Sequence, residues 1–224
     1  MADFRYSQFC ALARAAEVVG ERWTLLILRE LLLGAKRFSD LRERLDGISA
    51  SVLSKRLARL QGRGLVTART LEPPLAATVY ELSDTGRALA PTLHHLLRWG
   101  ARFLRPGRPR ERVEADWLRL ALAACGRRTP TPARSILLRI RGQRGEFLLR
   151  VTGGAGGTTV TDRLEPAEAT VVADPQTVMG LMTGALSAQA ALREGRVRVE
   201  GDPAALEAFP ALFEIGGTGE SSPD

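Results

Sequence analysis

The 224-residue chain has two cysteines and two histidines, and both shortages remove whole classes of chemistry. Cys10 and Cys125 cannot build a disulfide framework, and no four-ligand metal spacing occurs, so a reducing cytoplasm fits best and no metal or other cofactor is expected. His94 and His95 are adjacent. On a helix they point about 100° apart and cannot chelate one metal together without other ligands. With both on one predicted helix, a Ser-His-acid triad has no partner. The glycines of Thr152-Gly-Gly-Ala-Gly-Gly157 do not fit Gly-x-Gly-x-x-Gly and lie between predicted strands, so they read as a hairpin loop and not a phosphate cradle. No enzymatic activity is expected. Long apolar runs are missing too: Leu25 to Leu28 and Leu31 to Leu33 are broken by Arg29 and Glu30, and MADFRYSQFC holds no apolar signal core. No segment is expected to span or cross a membrane.

What the chain does have is 45% apolar residues, enough to build real cores in one large or two small domains. Its net charge of +7 is unevenly spread. Residues 1 to 110 hold 19 Lys+Arg against 10 Asp+Glu, and residues 111 to 224 hold 13 against 15. A basic first half beside a near-neutral second half points to a polyanion partner for the first only, because a phosphate backbone attracts cations whatever its sequence. A solvated Arg-rich surface would give the same count.

Helical periodicity dominates the first hundred residues, over Phe9 to Val19, Trp23 to Leu33 and Phe38 to Leu45, the last with Ser39 and Asp40 as capping residues. Asp46-Gly47 makes a tight turn. Ser49 caps a fourth helix that stops at Gly62 and Gly64. Leu65 to Leu71 and Val79 to Leu82 then read as an antiparallel ribbon joined at Pro73-Pro74. Ser83 opens a long final helix carrying Leu89, Leu93, Leu96, Leu97, Trp99 and Phe103. The segment Arg105 to Arg110 is a breaker, helical character returns over Glu111 to Ala124, and a second breaker runs from Gly126 to Pro132. These divisions give a first domain at 1–104, a helical connection at 105–132, a second domain at 133–215 and a disordered tail at 216–224. In the second domain, Ile136 to Ile140, Phe147 to Val151, Thr158 to Thr161 and Thr170 to Ala173 read as a meander of strands. The helical stretches Pro175 to Arg193 and Pro203 to Phe213 follow, separated by a strand at Arg196 to Glu200. The fold class expected is α+β.

Helices, a tight turn, a basic helix and a ribbon are the order of a winged helix-turn-helix, whose second helix enters the major groove. With Leu53 as the reference direction, Leu57 lies at about 40° and Leu60 at about 340°, a buried stripe. Ser51, Lys55 and Arg59 fall at roughly 160°, 200° and 240°, on the far side. Ser and Lys near a helix start reach phosphates or base edges, and Arg bridges a guanine bidentately or holds a phosphate. Ser54 and Arg56 flank that face. Arg56 can equally pair with Glu43 or Asp40. Together with Ser49 at the cap and Arg69 on the ribbon, these are the candidate DNA-binding residues.

The order Cys10, VGERWTLLIL (Val19 to Leu28), GxxRFSDL (Gly34 to Leu41), GISxSVLSKRL (Gly47 to Leu57), GLV (Gly64 to Val66), Pro73-Pro74 and YELSDTG (Tyr80 to Gly86) resembles the HxlR family of bacterial regulators over about residues 8–104. The resemblance implies a homodimer, formed largely by the first and last helices, on a pseudo-palindromic operator of double-stranded DNA. Its recognition helices would be centred about 34 Å apart. It also implies that Trp23 and Trp99 are packing residues. Two departures stand out. Ala11 occupies the place after the N-terminal cysteine where the family usually has proline, and the wing tip is Leu75-Ala76-Ala77 in place of a basic turn. In some members the N-terminal cysteine senses quinones, aldehydes or oxidants, and Cys10 takes that position. Such a thiol needs access and a nearby cation or helix N-terminus, for which Arg5, Arg14 and the helix start are available; the alternative is a small buried residue in the dimer helix.

Residues 167 to 213 resemble the second half of a sterol carrier protein type domain: a strand, an Asp174-Pro175 helix start, the passage Leu-x-x-Gly-x-Val-x-Val-x-Gly-Asp from Leu192 to Asp202, and a closing helix. The resemblance implies a curved sheet covered by helices around an apolar tunnel that holds lipid-like molecules. Val178, Met179, Leu181, Met182, Leu186 and Ala190 give the apolar helix face such a ligand would meet, unless that face merely seals a core. The reading these residues support is a cytoplasmic, homodimeric DNA-binding regulator controlled by a hydrophobic small molecule in its C-terminal domain. One alternative is a thiol-sensing regulator acting through Cys10. The other is a lipid-binding protein whose helix-turn-helix only dimerises.

Overall fold

A computed structural model describes residues 5–73, 76–104, 113–142, 145–163 and 165–215. The turn at Pro74, the wing-tip Leu75, the breaker at 105–110 and the tail at 216–224 lie outside the described residues. The chain divides into two compact units, Met1–Leu93 and His94–Asp224.

The first unit begins with α1 (Ala11–Val19) and α2 (Thr24–Leu32), continues through a two-residue strand β1 (Lys36–Arg37), α3 (Phe38–Arg44) and α4 (Ala50–Gly62), and closes with β2 (Val66–Thr70), β3 (Thr78–Leu82) and a short α5 (Asp84–Arg87). Leucines at helical spacing make its core: Ile27, Leu28 and Leu31 of α2 pack with Leu41 of α3 and with Leu53, Leu57 and Leu60 of α4. Burying each such side chain stabilises the fold by about 1.5–3 kcal/mol, which is what fixes α4 against the other helices. Glu30, fully buried on α2, is held by Arg29 at 2.7 Å and by Arg44 of α3 at 2.5 Å, so its charge is compensated where water is absent. The ribbon is a three-stranded antiparallel sheet of order β1-β3-β2, Lys36 and Arg37 pairing with Tyr80 and Val79. The sequence pattern assigns no strand to Lys36–Arg37, which lies just before α3.

The long helix expected after Ser83 is two helices, α5 and then α6 (Ala90–Ala101). Ser83 caps only α5, accepting from the Gly86 N–H at 3.0 Å. Pro91 has no N–H to return to the Arg87 carbonyl, so the ladder breaks there.

The second unit contains most of α6, then α7 (Ala115–Cys125), β4 (Ser135–Gly142), β5 (Gly145–Thr152), β6 (Thr159–Thr161), β7 (Ala169–Ala173), α8 (Pro175–Met182), α9 (Ala188–Arg193), β8 (Val197–Gly201) and α10 (Ala204–Ala208), continued by a 3-10 turn at Phe209–Leu212. The five strands are ordered β6-β5-β4-β7-β8. The strands are therefore not a simple meander: after β6 the chain crosses to the other side of β4, and β7 pairs parallel to β4 with Ile136 beside Ala169. Alternation sends Ile136, Leu138, Ile140, Leu149, Val151 and Val171 to one face, where Leu118, Leu122, Val178, Leu181, Leu206 and Phe209 complete the core. The opposite face carries Arg139, Arg150 and Arg198. Because Leu118, Leu122 and Cys125 are buried in that core, α7 is built into the second unit and is more than a connection at 105–132. The stretch from Pro175 to Arg193 splits into α8 and α9, with Gly184 at φ 66 between them.

Candidate nucleic-acid interface

Gly47, at φ 85, turns the chain between α3 and α4 in a conformation that glycine adopts without a Cβ penalty. Ser49 then caps α4, its Oγ accepting from the Val52 N–H at 3.3 Å and lying 3.2 Å from Ser51 Oγ. Its role is therefore to start the helix. Leu53, Leu57 and Leu60 are buried, while Ser51, Ser54 and Lys55 are exposed. Among the described residues Lys55 has no ion-pair partner, which leaves an available cation near the N-terminal end of the helix.

Arg56 and Arg59 are placed differently. Both pair with the carboxylate of Glu21, at the turn between α1 and α2. Arg59 Nη2 also donates to the Glu17 carbonyl at 2.9 Å, and Arg56 Nε to the Arg22 carbonyl at 3.3 Å. The partner of Arg56 is thus Glu21, where the sequence pointed to Glu43 or Asp40, and the expected DNA-facing position of Arg59 is a side chain only 20% exposed. Arg69, on β2, is half exposed and pairs with Glu81 of β3 at 3.2 Å.

Cys10 is exposed at the N-cap of α1. Its thiol is held below the ordinary range by the backbone N–H groups of Ala13 and then Leu12, so the helix N-terminus supplies the effect. Arg14, by contrast, is engaged with Glu17 at 3.0 Å. Burial pushes Cys125 up to about 11 against the opposing charge of Arg98. In the folded protein Cys10 should therefore alkylate first with iodoacetamide near neutral pH, and Cys125 only after unfolding. Peptide mass spectrometry of a labelling time course reads this directly, and equal rates at the two thiols would contradict it.

In the second unit, Val178, Leu181 and Met182 are buried core residues, and Met179 and Leu186 pack half-buried against the same cluster. Ala190, on α9, is half-buried. A cavity of about 110 Å³ is lined by Val113, Glu114, Ala115, Gly142, Gly145, Glu146 and Phe147, none of them among the six expected ligand residues. Val178, Leu181 and Met182 on α8 thus pack into the core cluster, and Thr177 and Thr183 are satisfied locally by Asp174 and the Gly180 carbonyl.

Residues 18–108 match the model of the HxlR-like helix-turn-helix family. The uncharacterized HTH-type transcriptional regulator YvaP of Bacillus subtilis (strain 168) is 34% identical over 93 residues, which cover 42% of this chain and 86% of that protein. The uncharacterized HTH-type transcriptional regulator Rv3095 of Mycobacterium tuberculosis (strain ATCC 25618 / H37Rv) is 41% identical over 116 residues, 52% of this chain and 69% of that one. The chain belongs to the HxlR-like helix-turn-helix family. It is a transcriptional regulator of this type, and its relatives are regulators, not enzymes.

This HxlR-type chain also matches the SCP-2 sterol transfer family over residues 115–214, a span that includes α7. Among solved structures, a transcriptional regulator of the MarR family from Enterococcus faecalis V583 is 33% identical over 42% of this chain and 86% of that one, with a TM-score of 0.38. Among the described residues no helix is long and apolar enough to cross a membrane, and no group of three or more His, Cys, Asp or Glu is placed to hold a metal ion. The two tryptophans named by the family resemblance are placed differently in this HxlR-type regulator. Trp23 packs against the first core, but Trp99 is 55% exposed, edge-on to the exposed Phe103 at 5.0 Å between ring centroids. The residue that sequence reasoning missed is Glu21. It lies in the VGERW motif, where an acid beside Arg22 reads as a solvated pair.

Proposed function

We propose that this HxlR-type regulator binds a pseudo-palindromic operator as a homodimer and reads it with Ser51, Ser54 and Lys55. The observation that carries the reading is the exposed Lys55, without an ion-pair partner among the described residues, on the polar face of a capped α4 whose other face is buried in the core. Arg69 stands on the neighbouring ribbon, where it can trade Glu81 for a phosphate. Exposed Phe9 and Leu12 beside and on α1, and Leu96, Trp99 and Phe103 around α6, support dimerisation through the first and last helices of the DNA-binding region. A cytoplasmic location follows from a DNA target.

The input is an apolar small molecule taken up by the second unit. The support is the sterol-transfer match over 115–214. Because α8 is packed down, such a molecule would have to part α8 from the sheet, and its differential affinity for the two states, typically 1–3 kcal/mol, would set the response. The exposure and acidity of Cys10 favour thiol control as a second reading. A single set of fluorescence-anisotropy titrations on a duplex selected from a random pool tests these points. Lys55→Ala should weaken binding about tenfold and lower the salt slope by about 0.9, the loss of one phosphate contact. Unchanged binding would remove Lys55 from the DNA contact, and a wild type with no salt-dependent binding would return the chain to a lipid-binding role with a helix-turn-helix used only for dimerisation. Oleate should shift the wild-type curve; a response that appears only with an electrophile, and disappears in Cys10→Ser, assigns control to the thiol.

A further inference from the structure

The α1–α2 turn and the C-terminal half of α4 are joined by one carboxylate. Glu21 takes both Arg56 and Arg59, two cations one turn apart on the helix that faces DNA, and the Glu17 carbonyl accepts from Arg59 Nη2 while the Arg22 carbonyl accepts from Arg56 Nε. Neither arginine is more than a quarter exposed, while Lys55, immediately before Arg56, is exposed and has no ion-pair partner among the described residues. The helix thus presents serines and one lysine outward, and turns its two arginines inward.

We propose that Glu21 is a specificity-determining positioning residue: it withholds Arg56 and Arg59 from the DNA backbone and so limits sequence-independent binding by α4. This inference rests on the DNA-binding reading above. The physical reason is the salt-dependent, sequence-blind energy that every free arginine adds on a phosphate lattice. A regulator must bind its operator far more tightly than the excess of other duplex, so extra phosphate contacts reduce discrimination unless base contacts grow with them. The two-armed pair also ties α4 to the end of α1, so a movement of α1 would be felt at the reading helix through the same carboxylate.

The test measures binding to a fixed mixed-sequence duplex two helical turns long, over a salt series, for the full-length wild type, Glu21→Gln and the double variant Arg56→Gln/Arg59→Gln. Glu21→Gln should steepen the salt slope by about 0.9 for each arginine that reaches a phosphate, up to about 1.8. It should also narrow the affinity ratio between a selected duplex and the mixed one. The double variant should keep the wild-type slope, because its arginines do not touch phosphate in the native protein. A purely structural role for the cluster would lower affinity for both duplexes alike without steepening the slope. A Glu21→Gln slope equal to wild type, or a double variant with a shallower slope, overturns the proposal. If Glu21→Gln does not fold, the double variant alone decides it by the same criterion. A wild type that shows no salt-dependent binding to either duplex would fail the DNA-binding reading itself, and the proposal with it. Wild-type binding with an unchanged Glu21→Gln slope fails the proposal only.

Discussion

Gly86→Ala is expected to destabilise the first unit by about 3 kcal/mol, although helix propensity alone predicts a gain of about 1 kcal/mol from replacing glycine by alanine inside a helix. Contact distances decide the sign. A Cβ at position 86 would stand 2.1 Å from the Leu65 carbonyl oxygen and 3.2 Å from Leu82 Cδ2. Leu65 O cannot retreat freely, since it accepts the Ser83 N–H at 3.0 Å at the mouth of the ribbon. Relief requires α5 to lift away, which would strain or break that bond, the Gly86 N–H to Ser83 Oγ bond at 3.0 Å and the Ser83 Oγ to Gly64 O bond at 2.5 Å. Overpacking of this kind costs about 1–3 kcal/mol and each lost hydrogen bond about 1 kcal/mol more. For a unit of this size the melting transition should fall by roughly 10–20 °C. Thermal unfolding followed by circular dichroism reads the shift, and a variant as stable as wild type would refute the close approach of α5 to Leu65. The second unit should keep its own stability, because its core shares no residue with the first.

That glycine ends the YELSDTG motif, and it shows what a sequence can and cannot convey. The motif marks the position, but the reason is a carbonyl 21 residues earlier. The same division runs through the site. Local signals read correctly: the Leu53, Leu57 and Leu60 stripe, the Ser49 cap and the Gly47 turn all depend on spacings of a few residues, which helix geometry fixes. Non-local partners were not legible. Glu21 lies 35 and 38 residues before Arg56 and Arg59, and periodicity holds no information about which carboxylate an exposed-looking arginine will meet. The parallel pairing of β4 with β7 was hidden for the same reason, since alternation identifies strands but not their order in the sheet. The ligand face is ambiguous for a different reason. Val178, Leu181 and Met182 satisfy one apolar pattern whether they line a tunnel or close a core, and only packing distinguishes the two.

The exposed aromatic pair at the end of α6 carries the other large effect. Leu96 and Trp99 are three residues apart on α6, Phe103 just past its end meets Trp99 edge-on, and the three are 41%, 55% and 63% exposed. In the first unit Phe9 and Leu12 repeat that spacing at the start of α1, and Phe9 makes no use of its ring in the core. Leaving rings of this size in water is a cost that a partner surface removes, at about 25 cal/mol per Å² of apolar area covered. A homodimer using these faces presents two copies of α4 to one operator, and the second copy then binds at the effective concentration set by the first. Joining two modules in this way raises affinity by about 10²–10⁴ without any new DNA contact. Trp99→Asp/Phe103→Asp should therefore give a folded monomer, because neither side chain belongs to a core, and its affinity for a selected palindromic duplex should fall by about 10²–10⁴. Binding to a single half-site should hardly change. Sedimentation velocity with anisotropy on full and half sites separates these quantities. A variant that stays dimeric and keeps the wild-type affinity would remove the aromatic face from the assembly, and a monomer that still binds the palindrome at wild-type strength would show that α4 reads its operator one copy at a time.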